Sequence, residues 1–107
     1  MALLDKIIWQ IETMLDETTS LKLLSDRCAV SPYHMCRVFQ QGSGMSIMAY
    51  VRGRRLSAAA KTIAESDATI ISIAVNAGYA SHEAFTRAFA AYLGVLPSTV
   101  RTARSVS

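Results

Sequence analysis

Cys28 and Cys36 are the only cysteines in the chain. They form no Cys-x-x-Cys pair, and the two histidines, His34 and His82, lie far apart, so neither a disulfide framework nor a zinc pattern is available. Reduced, mostly packed thiols in a cytoplasmic protein are the expectation. No apolar run approaches the ~20 residues that span a bilayer, so no membrane partner is expected. The stretch from Met1 to Gln10 is interrupted by Asp5 and Lys6 and lacks a cleavage site, which argues against a signal peptide. Neither histidine has a carboxylate or nucleophile at a recognisable spacing, and there is no glycine-rich phosphate loop. An enzyme, a metal site and a cofactor are therefore not expected.

Glycine and proline are also few, at 5 and 2, whereas apolar residues make up 51% of the chain and alanine is plentiful. That mixture favours an all-α protein, because alanine costs least to hold in a helix. A length of 107 residues is the size of one domain. The formal charge of +3 is compatible with a nucleic-acid partner without demanding one.

Helical periodicity predicts about seven helices. The first runs from about Leu3 to Asp16, with Leu4, Ile7, Ile8, Ile11, Met14 and Leu15 on one buried face. Thr18, Thr19 and Ser20 then offer a break and candidate N-caps. A short second helix spans Leu21 to about Cys28. Ser31-Pro32 reads as an N-cap followed by proline at the first helical position, opening a third helix to about Gln41 that Gly42 and Gly44 end. Ser46 caps a long fourth helix from Ile47 to about Glu65. After Ser66-Asp67-Ala68-Thr69 a fifth helix runs from Ile70 to Ala77, broken by Gly78. Ser81 caps a sixth, His82 to Leu93, which Gly94 ends, and Pro97 opens a seventh reaching about Ala103.

The most informative feature is an internal repeat. At an offset of 50, Ser31, Met35, Arg37, Phe39 and Gly44 fall on Ser81, Phe85, Arg87, Phe89 and Gly94. Upstream the offset is 49, and Leu21, Leu24, Ser25 and Ala29 fall on Ile70, Ile73, Ala74 and Gly78. The second copy thus has one extra residue near Ala80. Each copy reads as a helix-turn-helix: a short helix with a small residue where its neighbour passes, a small residue at the turn, then a capped helix with an outward face. The units fall at about residues 21–41 and 70–93, joined by the helix at about 47–65.

The outward faces carry the function. With Met35, Val38 and Phe39 inward, the third helix leaves Pro32, Tyr33, Cys36, Arg37 and Gln40 on one exposed stripe. With Phe85, Ala88 and Phe89 inward, the sixth leaves His82, Glu83, Thr86 and Arg87 exposed. Residues of these kinds near helix N-termini reach base edges and phosphates. The joining helix spans roughly 28 Å at ~1.5 Å per residue, enough to separate two reading heads by about one DNA turn, ~34 Å. Arg52, Arg54, Arg55 and Lys61 on or near it are candidates for phosphate contacts or for internal pairing. Arg87 is the only cation of the sixth helix, and Glu83 beside it repels phosphate, so the first unit is expected to dominate affinity.

The stretch Gly78-Tyr79-Ala80-Ser81-His82-Glu83-Ala84-Phe85-Thr86-Arg87-Ala88-Phe89, with Gly94 and Pro97-Ser98, resembles the AraC/XylS family of transcriptional regulators. So does Ser31-Pro32-Tyr33-His34-Met35-Cys36-Arg37-Val38-Phe39 with Gly44, Tyr50 and Arg55-Leu56. The likeness covers about Leu21 to Arg101. It implies two helix-turn-helix subdomains on a long helix, binding double-stranded DNA and regulating transcription, most often as activators. It also implies base contacts from Tyr33, Cys36 and Arg37 in the first unit and from His82, Glu83, Thr86 and Arg87 in the second. RNA polymerase is a further candidate partner. The tandem repeat already supplies two reading heads, so a monomer is expected. Two other readings remain open at this point. One is a helical protein-binding module, whose binding would depend little on salt. The other is a redox-responsive regulator in which an exposed Cys36, beside Arg37 near a helix N-terminus, is the reactive thiol.

Overall fold

The computed structural model describes residues 2–15 and 20–106. Among them the chain is all-α: α1 (Leu3–Thr13), α2 (Leu21–Cys28), α3 (Pro32–Ser43), α4 (Ile47–Glu65), α5 (Ile70–Asn76), α6 (His82–Leu93) and α7 (Pro97–Val106). Short polar side chains start most of them. The oxygens of Ser20, Ser31, Ser46, Thr69 and Ser81 accept from the backbone N–H groups of Leu23, His34, Ala49, Ser72 and Ala84 at 3.1 to 3.2 Å. Each satisfies one of the donors that a helix start leaves unpaired.

Four boundaries differ from the sequence expectation, the smallest at α5, which ends at Asn76 with Ala77 as its C-cap instead of including Ala77. α1 ends at Thr13 with Met14 as its C-cap, and the expected continuation to Asp16 lies outside the described residues, as do the candidate caps Thr18 and Thr19. α3 does not stop at Gly42 but runs on to Ser43, with Gly44 as its left-handed C-cap. A Cβ at Gly42 would lie 2.6 Å from Leu4 Cδ2, so that glycine serves the close approach of α1 rather than helix termination. α7 extends to Val106 instead of stopping near Ala103.

The chain divides into two compact units, Met1–Arg52 and Gly53–Ser107. In the first, Ile7, Ile11 and Met14 meet Leu24 and Cys28 of α2, Met35 and Phe39 of α3, and Ile47 and Val51 of α4. Tyr50 packs edge-on against Phe39, with ring centroids 5.4 Å apart. In the second, Leu56, Ala59 and Ile63 of α4 meet Ile73 and Ala74 of α5 and Phe85 and Phe89 of α6, with Val100 of α7 partly buried against them. α3 and α6 are therefore each fixed by one pair of buried side chains four residues apart, Met35 with Phe39 and Phe85 with Phe89, which a helix places on one face.

Arg101 ties α7 into the second unit. Its Nε donates to the carbonyl of Ile63 at 3.1 Å and its Nη2 to that of Ala68 at 2.6 Å. Both carbonyls lie where α4 ends and the link to α5 begins, and a charged donor is worth more there than a neutral one. Arg101→Ala is expected to lower unfolding stability by about 2–3 kcal/mol, two such bonds being lost. Urea unfolding followed by circular dichroism checks this.

The turns repeat in backbone detail. In the first unit Val30 N–H donates to Ser25 and Ala29 N–H to Asp26; in the second Tyr79 donates to Ala74 and Gly78 to Val75, all at 3.0 to 3.2 Å. This is the paired bonding of a Schellman motif, which needs a left-handed residue at its centre. Gly78 supplies it at φ +93 without strain, whereas Ala29 adopts it at φ +58 as the one non-glycine with positive φ among the described residues. A side chain in that region costs about 1–2 kcal/mol. Ala29→Gly is expected to raise stability by about 0.5–1 kcal/mol, the relief of strain exceeding the added freedom of the unfolded chain. Gly78→Ala should lower it by about 1–2 kcal/mol. Denaturant midpoints of the two variants test the pair of signs together.

Candidate nucleic-acid interface

α3 and α6 each turn a defined stripe to solvent. At about 100° per residue, positions 33, 37 and 40 fall roughly opposite the buried pair Met35 and Phe39. Tyr33, with 74% of its surface exposed, Arg37 and Gln40 project there, and Pro32 and His34 are exposed at the N-terminal turn. No acidic residue lies in the first turn of α3. On α6 the matching stripe carries Glu83 and Arg87, with His82 exposed at its start. The backbone N–H groups of both helix starts, capped by Ser31 and Ser81, add partial positive charge at the same end.

Two expected members of these stripes are not fully exposed. Cys36 and Thr86 are half-buried, and Cys36 packs against the first-unit core. The repeat makes them equivalent, since each directly follows the first buried anchor and precedes the arginine. That phase lies at the border of the buried face, about 60° from Phe39 or Phe89 and about 100° from Met35 or Phe85. The Thr86 hydroxyl oxygen is enclosed and has no hydrogen-bond partner among the described residues. For Cys36 the partial burial removes the open exposure on which a redox-switch reading depends. Cys28 is buried in the first-unit core, and burial pushes its thiol up against the smaller opposing effect of Lys6. Cys28 is expected to resist maleimide in the folded chain and to react only in denaturant, which mass spectrometry of the labelled protein reads directly.

The cations expected on or near the joining helix divide. Arg52 and Lys61 are exposed, whereas Arg54 and Arg55 are half-buried and engaged within the protein. The first helices of the two turns also differ on their outer faces. Lys22 and Asp26 form an exposed ion pair at 3.1 Å, while the equivalent α5 positions hold Ile71 and Val75, 48% and 59% exposed. The duplication has kept the scaffold and varied the surface. Among the described residues no group of three His, Cys, Asp or Glu side chains is placed to hold a metal, and no helix is long and apolar enough to cross a membrane.

Two capped helices, each preceded by a short helix and a Schellman turn and each anchored by one apolar pair, define a tandem helix-turn-helix protein. A family model described as "Helix-turn-helix domain" matches residues 24–103. The chain is 33% identical over 99 residues to the probable transcription factor PqrA of Proteus vulgaris, covering 91% of this chain and 80% of that one. It belongs to this helix-turn-helix family, the AraC/XylS regulators. Among solved structures, an AraC-type transcriptional regulator from Chromobacterium violaceum superposes with a TM-score of 0.90 at 21% identity, over 96% of this chain and 92% of that one. The DNA-binding domain of AdpA, a global transcriptional factor solved in complex with a target DNA, superposes with a TM-score of 0.80 at 22% identity, over 97% and 93%.

Proposed function

We propose that the chain binds double-stranded DNA sequence-specifically, laying α3 and α6 in the major groove, and regulates transcription as an activator. The observation that carries this reading is the duplicated stripe. Two equivalent helices are locked by their buried faces and turn Tyr33, Arg37 and Gln40, or Glu83 and Arg87, outward beside capped N-termini. Arginine grips guanine O6 and N7 with its two-pronged guanidinium, and the tyrosine and glutamine add polar contacts to bases or phosphates. His82 and Pro32 sit at the helix starts, where backbone approaches phosphate. Membership of a regulator family and the DNA complex of AdpA support the same reading.

The two units act as one DNA-binding domain, working as a monomer in the cytoplasm, because each contributes one reading helix to a single chain. Activation would require contact with RNA polymerase at the promoter. Selection from a random duplex pool, followed by footprinting of the winner, tests the reading. Two protected blocks are expected, one lost when Arg37 is replaced and the other when Arg87 is replaced.

A further inference from the structure

Thr86 sits at the border between the buried face and the outward stripe of α6, and its hydroxyl is closed off. Oγ1 is enclosed without a hydrogen-bond partner among the described residues, although the residue as a whole is only half-buried. The side-chain surface that Thr86 offers to a partner is therefore carbon. Other helical threonines here behave differently: Thr62 Oγ1 donates to the Ala58 carbonyl at 3.1 Å and Thr102 Oγ1 to the Ser98 carbonyl at 2.9 Å, both four residues back. Thr86 forgoes that bond. The equivalent position of the first unit holds Cys36, likewise half-buried, small and weakly polar. Both reading helices thus place a small, poorly hydrogen-bonding side chain directly before the arginine.

We infer that Thr86 is a specificity-determining residue that selects thymine through its methyl group and makes no hydrogen bond to DNA. The inference rests on the DNA-binding reading and names what one residue of α6 reads. In the major groove the base edges present donors and acceptors with one apolar exception, the thymine C5-methyl. A carbon surface beside Arg87 has no polar edge to complement, so a thymine next to the base or phosphate held by Arg87 is the step it fits. A polar edge placed there would lose hydrogen bonds to water and find none in return.

The test uses the full chain and its selected duplex. Each thymine in the block protected by α6 is replaced singly by deoxyuridine, which removes the methyl and nothing else. One replacement is expected to weaken binding about three- to fourfold, the worth of roughly one buried methyl-sized group. Thr86→Val should keep that thymine-over-deoxyuridine ratio and raise Tm, since it deletes an unpartnered buried hydroxyl. Thr86→Ser should bring the ratio to one. The inference is overturned if no thymine methyl in that block matters, if Thr86→Val abolishes the ratio, or if Thr86→Ser retains it. Absence of any duplex binding by the unsubstituted chain would instead overturn the DNA-binding reading, and this inference with it.

Discussion

Arg37→Ala is expected to weaken binding to the selected duplex by roughly 10- to 100-fold, against only a few-fold for Arg87→Ala. Arg37 is exposed on a helix whose first turn carries no acid, so its charge and both guanidinium prongs are free to be spent on DNA. Arg87 shares its stripe with Glu83 one turn earlier, a spacing at which opposite charges attract along the helix and an acid opposes phosphate. Folding is not at stake, because exposed substitutions of this kind change stability by less than about 0.5 kcal/mol. Equilibrium binding at several salt concentrations separates the two roles of arginine. Loss of a base contact relaxes preference at one position, whereas loss of a phosphate contact weakens every sequence and lowers the salt slope by about one. A larger loss from Arg87→Ala would contradict the unequal division of labour. Glu83→Gln offers the converse check and is expected to tighten binding.

The second large effect is on stability. Phe85→Ala is expected to cost about 3–5 kcal/mol, because the ring is fully buried at the centre of the second-unit core. Its centroid lies 5.6 Å from that of Tyr79 and 5.4 Å from that of Phe89, so the substitution removes two aromatic contacts together with the buried surface. Against a typical total of about 5–15 kcal/mol, this is a large share, with a Tm drop on the order of 20 °C. The Tyr79 contact also ties the residue after the Schellman turn to α6, so the angle at which α6 leaves the turn depends on this ring. A calorimetric scan reads the loss, and a drop of less than about 5 °C would mean that the core closes around the cavity.

Most of the architecture was legible because its signals are local. Ser31-Pro32, Ser46 and Ser81 each announce a helix start through a bond spanning three residues, and Gly44, Gly78 and Gly94 mark ends where the backbone turns left-handed. The repeat then multiplied the information, since each copy constrains the other. What escaped the sequence depends on neighbours distant in the chain. Gly42 looks like a helix terminator until Leu4 is seen lying against it. Cys36 and Thr86 fall at a phase where exposure is decided by how deeply the adjoining elements wrap the helix. Ala29 is the small residue that a tight turn calls for, but its positive φ is a cost that composition does not reveal. Tyr33, Arg37, Gln40, Glu83 and Arg87 are exposed as their spacing requires, while the engagement of Arg54 and Arg55 within the protein could not be read from charge alone.

The most direct test of the central claim is binding of the purified chain to a random-sequence duplex pool, with affinity measured across salt concentrations. Enrichment of a site with two separate reading blocks, bound with an affinity that falls steeply as salt rises, is the predicted result. Failure to bind any duplex at low salt, or binding that ignores both sequence and salt, would contradict it.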